Sequence, residues 1–199
     1  MKSQTILLVA ALLAFVGCAP KTVRGPWETV KYGTPQEVQA VLDKGLAKAN
    51  DIDDSSSVHM TLLMWAAEYN SNPGVTATIL KAGGDVTMRS AESGGYGWTA
   101  LMWAANANKN PEVITTLVNA GSDIKAVDNN GLTPLMIAAE YNTNAPVVAK
   151  VASLASDLEA TDNGGFTALM LAASKTHNAD VVMVLLKAGA DAKAKNTKG

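Results

Sequence analysis

The chain has 199 residues, about the length of one domain, and hydrophobic residues make up 48% of it, enough to bury a core. Aromatics are only 5%, so that core must be built from Ala, Leu, Val and Met, and a net charge of -2 lacks the basic footprint that nucleic acid requires. No stretch reaches the roughly 20 apolar residues of a membrane-spanning helix.

The first element is "MKSQTILLVAALLAFVGCAP". One basic residue, Lys2, precedes an apolar run of 11 residues from Ile6 to Val16, followed by Gly17 and the only cysteine, Cys18. This is the three-part form of a secretory signal peptide. Cys18 has two readings: an incidental thiol in a leader that is cut further on, or the acceptor of a lipid. "FVGC" resembles the lipobox of bacterial lipoproteins, departing from it at Phe15, where the family most often has Leu. The resemblance implies removal of residues 1–17, a diacylglyceryl thioether on Cys18 and an acyl chain on the new N-terminus, with residues 18–25 as a lipidated tether. Several chains on one residue anchor stably where a single chain is marginal. Ala19 stands where an Asp would signal inner-membrane retention, which implies the periplasmic face of the outer membrane. With Cys18 acylated, no thiol remains for a disulfide, so stability must come from packing.

From Pro26 onward the chain repeats. "TLLMWAA" begins at Thr61, "TALMWAA" at Thr99, "TPLMIAA" at Thr133 and "TALMLAA" at Thr167, with spacings of 38, 34 and 34. Eleven residues after each Thr stands Asn (Asn72, Asn110, Asn144, Asn178), and 22 after stand Gly83, Gly121, Ala155 and Gly189. Thr before an apolar helical run is an N-cap, and the paired Ala residues let a neighbouring helix approach. The Asn caps a second helix, with Pro73 or Pro111 in its first turn, and Gly ends it in the left-handed region. Where Ala155 replaces that Gly, a left-handed alanine costs roughly 1 kcal/mol or more. Each unit is two short antiparallel helices and a polar connection, and no unit can bury its apolar faces except by stacking. "GLTPLMIAAEYNTNAPVV" and "GFTALMLAASKTHNADVVMVLLKAGADAKAKN" resemble ankyrin repeats, and the resemblance covers Trp27 to the C-terminus. It implies an all-α repeat fold: an ankyrin solenoid of helix-turn-helix units joined by β-hairpin-like connections. The units are a partial repeat over 26–60, capped by Thr34 and Glu37, and full repeats over 61–98, 99–132, 133–166 and 167–199. The family's His after Thr-Pro-Leu is here Met64, Met102, Met136 and Met170, read as apolar filling in place of a hydrogen-bonding ladder. Trp65 and Trp103 share a register with Ile137 and Leu171, so both are expected in the core.

Little points to catalysis. His59 and His177 belong to repeats far apart, no Cys/His metal spacing exists, and "DIDDSSS" (Asp51 to Ser57) reads as a solvated connection. No phosphate loop, nucleophile elbow or carboxylate pair emerges, so no enzyme activity, cofactor or metal is expected. What remains is a surface. The resemblance implies a protein partner, bound through the concave face and the connection tips. The connections from Gly45 to Thr61 and Gly83 to Thr99 are 16 residues long, against 12 from Gly121 to Thr133, and the second carries "GGYGW" with Tyr96 and Trp98. Trp98 aligns with the apolar Met60, Leu132 and Phe166, so packing and recognition both stand as its role. "EYN" occurs at Glu68–Asn70 and Glu140–Asn142, positions that vary in the family. Glu68, Tyr69, Tyr96, Trp98, Glu140 and Tyr141 are therefore the candidate contact residues. The reading is a lipid-anchored envelope scaffold; its alternatives are an accessory or inhibitor of an exported enzyme, and a purely structural assembly role. The final repeat, Gly165–Gly199, is as apolar as an internal one, so it either frays first or is covered by a partner or a second copy.

Overall fold

A computed structural model describes residues 24–91, 97–175 and 178–196, so Cys18, Tyr96 and His177 lie outside the described residues. Ten helices run through them: α1 (Pro26–Tyr32), α2 (Pro35–Asp43), α3 (Leu62–Tyr69), α4 (Pro73–Lys81), α5 (Ala100–Ala107), α6 (Pro111–Asn119), α7 (Pro134–Tyr141), α8 (Ala145–Leu154), α9 (Ala168–Lys175) and α10 (Ala179–Ala188). The odd-numbered helices pack in series as a front row and the even-numbered as a back row, each unit touching its sequence neighbours. This is the expected all-α stack. Among the described residues the only strand-like pairing is one isolated antiparallel bridge, Ile52 to Thr61.

From α2 onward each helix begins where the repeat places a cap, whereas α1 starts after Gly25 with no side-chain cap. The N–H groups of Met64, Met102 and Met136 donate to the hydroxyls of Thr61, Thr99 and Thr133 at 3.3, 3.4 and 3.3 Å. Thr34 and Glu37 close a capping box on α2. Asn72, Asn110, Asn144 and Asn178 cap the back row through their side-chain oxygens. The methionines do more than fill space: Thr61 and Thr133 N–H each point at the sulfur of Met64 and Met136 at 3.5 Å. A soft acceptor thus satisfies one of the orphan donors at the starts of α3 and α7, which corrects the reading of pure apolar filling there.

The core follows the repeat. Leu63, Leu101, Leu135 and Leu169 are buried in the front row, and Val75, Val113, Val147 and Val181 in the back. Gly83, Gly121 and Gly189 end their helices with φ of 90°, 95° and 104°. Ala155 does not adopt that conformation. Its φ of -68° and ψ of 133° are extended, so α8 leaves its last turn directly into the connection and no left-handed strain arises. "DIDDSSS" is exposed at Asp51 and Asp54, but Asp53 is buried and its carboxylate accepts the Ser55 N–H at 3.1 Å. It is a turn brace, as Asp128 and Asp162 are in later connections.

A row of buried asparagines, nine residues after Thr61, Thr99 and Thr133, ties the front row together. Asn108 Nδ2 donates to the carbonyls of Ala67 (2.6 Å) and Asn70 (3.1 Å), while its Oδ1 accepts the Asn110 N–H at 2.8 Å. Asn142 repeats this onto Ala105 and Asn108, and Asn70 onto Val30 and Gly33. Gly33 is the start of the ladder, and a Cβ there would lie 2.5 Å from the Thr29 carbonyl oxygen. A second, outer set runs beside it, from Asn110, Asn144 and Asn178 to the carbonyls of Ser71, Lys109 and Thr143. The Asn of each "EYN" is therefore structural and not a contact position.

In the last described repeat the apolar face is only partly covered. Met170 and Val182 are half-buried where Met136 and Val148 are sealed, and Met183 and Leu186 of α10 are exposed.

Candidate binding surface

The front row ends in tyrosines. Tyr32, Tyr69 and Tyr141 close α1, α3 and α7 and are 61%, 47% and 48% exposed. They share this position because each precedes a residue of the ladder: Gly33, Asn70 and Asn142. In α5 the same position is Ala107. The missing ring leaves a groove of about 520 Å³, lined by Asn106, Ala107, Lys109 and Tyr141 with Asn142 to Asn144. The surface thus alternates exposed rings with one notch, the shape that an inserted side chain of a partner can fill.

Trp98 is not on this rim. It is 4% exposed, its ring packs edge-on to Trp103 at 4.7 Å, and its indole N–H donates to Asp128 Oδ2 at 2.9 Å. Its backbone is held by Ser90, whose N–H donates to the Trp98 carbonyl at 2.9 Å. Trp98 thus lies in the buried register of Met60 and Leu132. Packing, not partner contact, is its role, and it supports the rim from below, 6.2 Å from the Tyr141 ring. Trp103 is likewise buried, whereas Trp65 is only half-buried.

Tyr32, Lys31 and Trp65 join the surface without having been among the candidates. Lys31 Nζ lies 3.4 Å from the Trp65 ring centroid and 5.4 Å from that of Tyr69. Glu68, beside them, is half-buried. Burial pushes its carboxyl up to about 7, against the opposing pull of a Tyr69 hydrogen bond and the Lys31 charge. Burial also raises the Tyr69 phenol, helped by the negative charge of Glu68. Glu140 holds the corresponding place on α7 and is half-buried. Glu68 with Tyr69, and Glu140 with Tyr141, thus form two separate pairs, divided by α5.

The Glu68 shift has a sign. Between pH 4.5 and about 7 the folded chain keeps a proton that the unfolded chain has released. Stability therefore falls as pH rises through that window, and the cost is complete above it. After discounting for exposure, Glu68→Gln should stabilise by about 1–2 kcal/mol at pH 8 and by nothing measurable at pH 4. Urea denaturation at the two pH values checks this; an equal effect at both would show that ionisation is not the cause.

Among the described residues no group of three or more His, Cys, Asp or Glu side chains is placed to hold a metal ion, and no helix is long and apolar enough to cross a membrane. A family model described as ankyrin repeats (3 copies) matches residues 27–128 and 101–196. No curated protein matches the chain.

Proposed function

Because the chain belongs to the ankyrin-repeat family, whose members are generally protein–protein interaction modules, we propose that it is a lipid-anchored scaffold of the cell envelope that binds a partner protein on the front-row face. The observation that carries this reading is the set of exposed rings, Tyr32, Tyr69 and Tyr141, flanking the notch at Ala107. Exposed tyrosines give large contact area at small entropic cost and are enriched where interfaces concentrate their energy. Exposed Ile52 and Val127 on the connections add apolar contact at the tips. The scaffold performs no chemistry of its own in this reading. Exposed Met183 and Leu186 support a second contact, with another copy, through the last repeat.

The anchor rests on the leader and "FVGC". In this reading residues 1–17 are removed, Cys18 carries the lipid, and the short segment to Pro26 holds the stack close to the periplasmic face of the outer membrane. Cys18→Ala should leave the protein as an uncleaved precursor or release it from membranes. Metabolic palmitate labelling and membrane fractionation check it. Absence of label on mature wild-type protein would sink the anchor and leave the binding surface untouched.

A further inference from the structure

Trp65 sits at a position that the other repeats fill with Trp103, Ile137 and Leu171, so an aliphatic residue meets its packing need. Its indole N–H is buried without an acceptor, a cost that Ile or Leu would avoid. What the indole provides instead is a ring face. The Trp65 and Tyr69 rings lie 5.5 Å apart and tilted by 37°, forming a corner. Lys31 Nζ is seated in that corner, close enough to each ring for attraction to its π face. The Glu68 carboxyl stands beside it, poorly solvated and only partly compensated by the Lys31 charge. Tyr32, at the end of the same helix as Lys31, is exposed at the edge.

We propose that the Trp65–Tyr69 corner is a receptor for a lysine side chain of the partner, and that Lys31 is its intramolecular stand-in, displaced when the partner binds. This rests on the front-row surface being the binding face and names the chemistry recognised there. A compact ammonium suits a seat over a ring face. Lys31 is half-buried on a flexible stem, so it can swing to water at small cost. After exchange it remains on the end of α1, and the cationic charge near Glu68 has risen.

The test uses the full chain in neutral detergent micelles, with a tetralysine peptide titrated at constant ionic strength and tetraglutamate as the control. Calorimetry gives affinity, and the indole N–H resonance of Trp65 gives location. Tetralysine should shift that resonance saturably and tetraglutamate should not. Lys31→Ala should bind tetralysine about fivefold more tightly, because the competitor is gone. Trp65→Leu, which copies the residue of the last repeat and so preserves the fold, should lose the binding. An unmoved Trp65 resonance, an equal response to tetraglutamate, or an affinity unchanged or weakened by Lys31→Ala would each overturn the proposal. If Tyr69 and Tyr141 prove necessary for partner binding while tetralysine leaves Trp65 unmoved, the surface stands and its lysine chemistry falls.

Discussion

Asn108→Ala should lower the free energy of unfolding by about 2–4 kcal/mol, the largest loss expected from any single polar substitution here. The side chain is 1% exposed and makes three hydrogen bonds, two of them to the preceding repeat. Truncation leaves the buried Ala67 and Asn70 carbonyls, and the half-buried Asn110 N–H, short of partners. Because a stack is held by its nearest-neighbour interfaces, the loss falls on the junction between the repeats that begin at Thr61 and Thr99. Asn110→Ala is the control. It removes an N-cap and an outer bond to Ser71, at a site that is not sealed, and should cost about 1 kcal/mol. Urea titrations of both variants decide it. Equal costs would show that the buried rung is worth no more than a cap.

That ladder shows where sequence reading ran short. The threonine and asparagine caps, the leucine and alanine registers and the helix-ending glycines were legible, because each is a local backbone requirement repeated at fixed spacing. The buried asparagine was present in the same spacing, at Asn70, Asn108 and Asn142, yet a polar residue after "EY", or after "NA" at Asn108, reads as surface. Only the neighbouring repeat supplies the carbonyls that bury it. Tyr32 was missed through register. It stands two positions before the cap of the next helix, Thr34, where Tyr69 stands three before Asn72, so counting back from the cap lands on Lys31. Trp98 stood between two roles because alignment with apolar residues does not say whether the ring is covered. Burial against Trp103 and the bond to Asp128 assign it to packing. The strain expected at Ala155 assumed that every helix of the back row ends alike, whereas α8 ends in an extended residue.

Tyr69→Ala combined with Tyr141→Ala should weaken partner binding about 30-fold or more, since loss of a central aromatic costs about 2 kcal/mol or more at a hot spot. The fold should survive, because Ala107 already occupies this position in α5 and both tyrosines are about half exposed. By contrast Trp98→Ala should unfold or loosen the stack before it says anything about binding, for its ring and indole N–H are both engaged in the interior. The measurement that bears most directly on the account is therefore the affinity of the protein that co-purifies stoichiometrically from detergent-solubilised membranes, determined for wild type and for the Tyr69→Ala, Tyr141→Ala double variant, with circular dichroism on both. A drop of about 30-fold or more with matching helical spectra is the predicted result; equal affinity with matching spectra would contradict the assignment of the front-row rings as the binding face.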